Sequence, residues 1–427
     1  MIGPRGWLLV PLLAAQLGGQ LLLAPAQALA SGLTVLPTAN ETCSPDVTSY
    51  SPAAPAALAT LNAELAWRTA TGKGVTVAVV DSGVAAANTH LTSAVLPGIS
   101  LTDTPGADNS ATTDVMAHGT AVAGQIAARP VDGSGVVGLA PDAKILPVRV
   151  YFSQDQQVAD TGNGPRSDRL AAGIRAAADG GAQIINVSMS TAEDTPELRD
   201  AVVYATGLGS LVVASAGNRN TTDDQSDSPR YPAAYPEVLS VTSVDAAGIG
   251  TADAIHGPHV DVAAPGTDVL TTFLAAGDCM LSSGLPSTSY ATAYVSAAAA
   301  LIAQEHPRET PAQWAFRLEV TASRTILDRR DDVTGWGTIR PAEALAFVDD
   351  GSARGPDSPV HPRPAPPAAQ PQALDLDQVV SPLDETHRVA MWWTLGGVVA
   401  ALATVLAGQL AVTRHRARPG RRTPPTS

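Results

Sequence analysis

Aromatic residues are scarce in this chain, 4% of 427 residues. Charged residues make up only 15%, against the ~25% of an average soluble protein. A core must therefore be built from small aliphatics, chiefly Ala, Val and Leu. Basic side chains are outnumbered: 26 Lys plus Arg face 40 Asp plus Glu, a formal net charge of −14. That balance speaks against a nucleic-acid partner, which would need a basic face. Two cysteines exclude both a disulfide scaffold and a four-cysteine zinc site. No carboxylate cluster has calcium-loop spacing, so neither a metal nor a cofactor is expected.

What is present is clearest at the two ends. Arg5 followed by the mostly apolar residues 8–23 and the small-x-small triplets 26–28 and 28–30 reads as a signal peptide, residues 1–30. A retained N-terminal anchor is the alternative. Residues 389–412 carry no charge, and at ~1.5 Å per residue they reach about 36 Å, enough to span a bilayer core. Trp392 and Trp393 stand at the start, where indoles favour the lipid–water interface. Arg414, Arg416, Arg418, Arg421 and Arg422 follow. Positive flanks stay inside, so residues 413–427 are expected in the cytoplasm and the body of the chain outside. Residues 351–388 hold seven prolines between 356 and 371 and read as a semi-rigid spacer. Residues 31–66 are left as an N-terminal extension, and 67–350 as the main domain.

That domain alternates. Apolar runs at 75–80, 145–150, 184–187, 211–214, 238–244 and 260–264 are separated by helical stretches at 119–128, 169–178 and 196–205. This predicts an α/β fold, a largely parallel sheet with helices on both faces. Pro147 hints at an edge or bulge. Residues 154–168 read as an exposed loop. In such sheets the site lies beyond the carboxyl ends of the strands.

Asp81 follows the first strand. His118 opens one helix and Ser289 opens the long one that follows it in the chain. Asn218 comes just after a buried strand. A serine hydroxyl near pH 7 needs an imidazole to take its proton and a carboxylate to hold that imidazole. The Asn218 amide and the Ser289 backbone N–H are the candidate oxyanion donors. Each residue alone has a plainer reading as a cap or turn residue. Their order, each at a strand end or helix start, favours the catalytic one.

The segments Val80-Asp81-Ser82-Gly83-Val84, His118-Gly119-Thr120-Ala121-Val122-Ala123-Gly124, Ala216-Gly217-Asn218 and Thr288-Ser289-Tyr290-Ala291 resemble the motifs of subtilisin-like serine proteases. The resemblance covers about residues 67–348. With the signal peptide, spacer and single span, the whole resembles mycosins, the membrane-anchored proteases of type VII secretion systems in high-GC Gram-positive bacteria. It implies a serine endopeptidase acting on exported or cell-envelope polypeptides, beside a membrane-embedded secretion complex. A weakly active or inactive structural subunit of that complex is the competing reading. Ser188, Met189 and Ser190 are expected to end an edge strand that pairs with an extended peptide. Two positions depart from the family pattern: Ser287 stands where Gly is usual, and Ala293 where Pro is usual. The 31–66 segment is too short for a subtilisin folding prodomain. Outside the cytoplasm Cys43 and Cys279 can form a disulfide, with two free thiols as the alternative.

Overall fold

The computed structural model describes residues 43–221, 224–284, 286–362 and 382–416. The expected signal peptide, residues 31–42 of the extension, linker residues 363–381 and tail residues 417–427 lie outside them. Residues 43–362 belong to one compact unit, and the C-terminal helix belongs to another.

Seven parallel strands form the central sheet: β1 Thr76–Asp81, β2 Ile99–Ser100, β3 Lys144–Arg149, β4 Ile184–Val187, β5 Leu211–Ser215, β6 Val238–Val244 and β7 Val262–Pro265. Their order is β2-β3-β1-β4-β5-β6-β7. Almost every strand residue is buried, as expected of strands covered on both faces. Pro147 aligns with Val79 in the strand next to the short edge strand. Ile145 N–H points away from β1 to Ala94 O, so the missing Pro147 N–H lies on that same outer side.

One face is covered by the helices His118–Ala127 and Thr288–Glu305, the other by Ser167–Asp179 and Pro196–Gly207. The Thr288–Glu305 helix is buried at 15 of its 18 positions, including Ala291, Ala293 and the run Ala297 to Ala300. A helix apolar all round belongs in a core, and small side chains let the sheet lie close to it. A hairpin, β8 Val269–Thr272 with β9 Asp278–Leu281, packs on the histidine helix. Thr271 and Thr272 donate to the carbonyls of Ala121 and Thr120 at 2.8 Å each.

Two expectations are corrected. Ser188, Met189 and Ser190 do not end an edge strand: β4 is central, between β1 and β5, and stops at Val187. These residues continue past the end of β4, where Ser188 O accepts from the Ser289 hydroxyl. Residues 154–168 are not a plain loop but hold short helical turns at Gln156–Val158 and Ala159–Asn163. Cys279 lies in strand β9. Cys43 and Cys279 are disulfide-bonded, with Cα atoms 5.8 Å apart.

The described part of the extension runs along the hairpin. Ser49 exchanges backbone hydrogen bonds with Ala276 and Asp278, and Gly135 N–H donates to Ser51 O. Leu58, Leu61, Ala63 and Ala66 enter the main core. Ser51 N–H also donates to Asp278 Oδ2 at 2.9 Å, so the extension docks on the hairpin.

The C-terminal helix, Pro382–Arg416, contains the expected 389–412 run. Its segment Glu385–Thr413 has 29 residues, with an 18-residue stretch of mean hydropathy 2.0, long and apolar enough to cross a membrane.

Candidate active site

β1 delivers Asp81 at its last position, fully buried. His118 is the first residue of its helix, with its ring a quarter exposed. The two meet because Gly119 allows it: a Cβ there would lie 2.1 Å from Gly83 O and 3.1 Å from the Asp81 Cβ. His118 Nδ1 lies 2.8 and 3.0 Å from the Asp81 oxygens. A carboxylate only accepts, so Nδ1 carries the proton and Nε2 faces away as the acceptor. Asp81 also accepts from Ser82 N–H at 2.7 Å and from the Tyr151 hydroxyl at 3.1 Å. Burial, then the charges of Asp81 and Asp114, hold the Tyr151 phenol well above its usual range, so it stays a donor. For His118, burial works against the charged form, but the Asp81 charge and hydrogen bond outweigh it and the imidazole is raised.

Ser289 is the second residue of its helix and 8% exposed. The preceding Ser287 has φ −135°, extended backbone that any residue adopts, so glycine is not needed there for its conformation. The close approach is made by Gly266 instead, whose Cβ would stand 2.4 Å from Ser287 O. Ala293, the other departure, is fully buried in the helix body. The Tyr290 ring lies 5.6 Å from the His118 ring, which brings the two helix starts together. Ser289 Oγ donates to Ser188 O at 2.9 Å, and Ser188 Oγ donates back to Ser289 O at 2.8 Å. Among the described residues no hydrogen bond links Ser289 to His118. Unliganded sites often show such pairs loose, tightening only when substrate is bound.

Asn218 follows β5 and is 7% exposed. Its Oδ1 accepts from Thr288 N–H at 2.9 Å and from the Thr288 hydroxyl at 3.1 Å. That fixes the amide, and its Nδ2, with no protein partner among the described residues, remains as a donor. The Ser289 N–H sits in the first helical turn, where amides lack an intrahelical acceptor. Ser190 lies close to Gly217: a Cβ on Gly217 would stand 3.1 Å from Ser190 Oγ. The structure thus brings Asp81 and His118 into contact, ties Ser188 to Ser289 and ties Asn218 to the start of the same helix. Sequence reasoning missed Ser82, Asp114, Tyr151 and Arg149, which surround Asp81 and His118. Ser82 lay inside a quoted motif without a role of its own, and Asp114 left a trace as an acidic residue four positions before a helix start.

The subtilase family model, Peptidase_S8, matches residues 72–337. The chain belongs to the subtilase family. It is a subtilisin-like serine endopeptidase related to mycosins. Mycosin-4 of Mycobacterium tuberculosis is 33% identical, over 83% of this chain and 80% of its own length. The intracellular serine protease of Paenibacillus polymyxa is 36% identical, over 57% of this chain and 71% of its own. Among solved structures, the serine protease MycP1, described as an essential component of the type VII (ESX-1) secretion system, is 30% identical. It has a TM-score of 0.60 and covers 72% of this chain and 91% of that one. The subtilase match falls within the 43–362 unit; the C-terminal helix lies beyond it.

Proposed function

We propose that this subtilase is a membrane-anchored endopeptidase that cleaves exported or cell-envelope polypeptides outside the membrane, in association with a type VII secretion system. In this reading Ser289 is the nucleophile, His118 the general base and Asp81 the residue that orients it. Asn218 Nδ2 and Ser289 N–H form the oxyanion hole, and Ser188, Met189 and Ser190 line the substrate. The observation that carries it is the Asp81–His118 pair at 2.8 Å beside the start of the serine helix, with the Asn218 amide fixed on that same helix start.

The chemistry follows from the donors. A rotation about the Ser289 Cα–Cβ bond turns Oγ from Ser188 O toward His118 Nε2. The imidazole takes the hydroxyl proton as Oγ attacks the scissile carbonyl, and Asp81 stabilises the imidazolium. The two oxyanion donors meet the negative charge on the carbonyl oxygen. The imidazolium then gives its proton to the leaving amine, and water repeats the sequence on the acyl-enzyme. The backbone of residues 188–190, free of sheet partners beyond β4, is suited to pair with an extended peptide.

Anchoring rests on the apolar C-terminal helix, and orientation on the arginines that follow it in the sequence. Residues 1–30 would be removed on export, 31–66 would stay with the 67–350 domain, and 351–388 would hold that domain off the membrane. Association with the secretion system is supported by the mycosin relatives. The test is turnover of an unfolded polypeptide by the full chain purified in detergent. Cleavage by wild type and none by Ser289→Ala is expected. Equal cleavage by both would overturn the reading.

A further inference from the structure

The helix that carries His118 starts without a cap of its own. Ala117 occupies the cap position, has no side-chain acceptor to offer, and has φ 61°, a left-handed conformation strained for alanine. The first helical amides are nevertheless satisfied. Gly119 N–H donates to Ser82 Oγ at 3.1 Å, and Thr120 N–H donates to Asp114 Oδ2 at 3.0 Å. Asp114 takes three more hydrogen bonds: from Ser82 Oγ at 2.9 Å, from Met116 N–H at 2.9 Å and from Thr120 Oγ1 at 2.7 Å. One carboxylate therefore clamps residues on both sides of His118, and through Ser82 it is tied to the residue that follows Asp81.

The clamp is itself held in place. Arg149 ends β3 in register with Asp81 and is fully buried. Its Nε donates to Ser82 O at 2.8 Å, and its Nη2 donates to Thr113 O, one residue before Asp114. A buried guanidinium thus fixes the loop that supplies Asp114 against the strand end that supplies Asp81. This is a costly arrangement, sustained only because its hydrogen bonds are made.

We propose that Asp114 is a positioning residue for His118, capping the histidine helix at a distance and, with Ser82 and Arg149, fixing the imidazole against Asp81. This rests on the reading of His118 as the general base. The charged and titratable groups around the ring are Asp81 from β1, Asp114 from the loop before the helix, Arg149 and Tyr151 from β3 and its extension, and Tyr290 from the serine helix. Asp114 adds its negative charge to that of Asp81 in raising the imidazole. An uncharged amide in its place accepts at one oxygen only, so at least one of the four hydrogen bonds is lost and the charge disappears.

The experiment compares Asp114→Asn and Ser82→Ala with wild type in two measurements on the full chain in detergent. One is the rate of inactivation by a fluorophosphonate, resolved into binding and chemical steps across pH. The other is the His118 titration followed by NMR of the imidazole. For Asp114→Asn the expected result is a chemical step slower by about 10- to 100-fold, with reagent binding little changed, from misplacement of the ring. The His118 titration and the acid limb of the rate should both move to lower pH. Ser82→Ala, which removes a single hydroxyl, should slow the same step less, and it decides the matter if Asp114→Asn does not fold. If wild type does not label at Ser289, the catalytic reading fails, while the NMR titration still tests the clamp. A folded Asp114→Asn, or failing that Ser82→Ala, with wild-type titration and chemical rate would overturn the proposal.

Discussion

Asp81 is held by three kinds of donor, the His118 ring, the Ser82 amide and the Tyr151 hydroxyl, at 2.7 to 3.1 Å. A carboxylate so fixed keeps the imidazole in one tautomer and one orientation. His118 is raised above the ordinary imidazole value of 6.5, so it remains protonated, and unable to act as a base, to higher pH than a free histidine. The acid limb of kcat/KM should therefore have its midpoint above 6.5, as a pH–rate profile would read. A midpoint below that value would contradict the site geometry. Asn218→Ala removes the proposed side-chain oxyanion donor and also the Oδ1 that holds Thr288. It should lower kcat by about 10²- to 10³-fold with a smaller change in KM.

At the scale of elements, the serine helix is placed by its neighbours more than by its own cap. Ser287 offers no side-chain cap, while Gly266 lets the backbone pass close to Ser287 O. Gly266→Ala should push the helix start away and reduce turnover by more than tenfold, whereas Ser287→Gly should leave it within about twofold. Assaying both variants separates the two positions, and a large gain from Ser287→Gly would show that the departure at 287 matters after all. Strands β1, β3, β4, β5, β6 and β7 were legible because continuous Val, Ile and Ala runs mark strands buried on both faces. The helices that open at His118 and beside Ser289 were legible from the small-residue runs that follow those residues. Ser188 to Ser190 was misread because strand order comes from tertiary crossovers that no local pattern encodes. Asp114 and Arg149 were missed for a related reason: their partners lie up to 67 positions away, and a buried arginine carries no local signature.

For the molecule as a whole, the hairpin joins the extension to the helix that carries His118. The Cys43–Cys279 bridge closes 236 positions of sequence separation. By the chain-entropy account its loss costs at most roughly 5 kcal/mol, with measured values often lower. Cys43→Ser should lower the Tm and expose residues 43–55 to added protease, while leaving the Asp81–His118 pair intact. A second whole-domain effect comes from two acids remote from that pair. Burial pushes Asp261 to about 7, and burial with the neighbouring Asp261 charge pushes Glu319 to about 8. Their folded pKa values exceed the unfolded ones, so the folded state binds more protons and stability falls as pH rises from about 4 to 8. Glu319→Gln should raise the Tm by a few degrees at pH 8 and leave it unchanged at pH 4. Thermal melts at the two pH values check this.

The central claim is that Ser289, His118, Asp81 and Asn218 act as one serine-protease site. Mass spectrometry of the full chain after reaction with a fluorophosphonate tests it most directly, because the reagent needs both an activated serine and an oxyanion hole. A single adduct is expected on the peptide containing Ser289, absent in Ser289→Ala and strongly reduced in His118→Ala. An adduct on another serine, or equal labelling of Ser289 in His118→Ala, would contradict it.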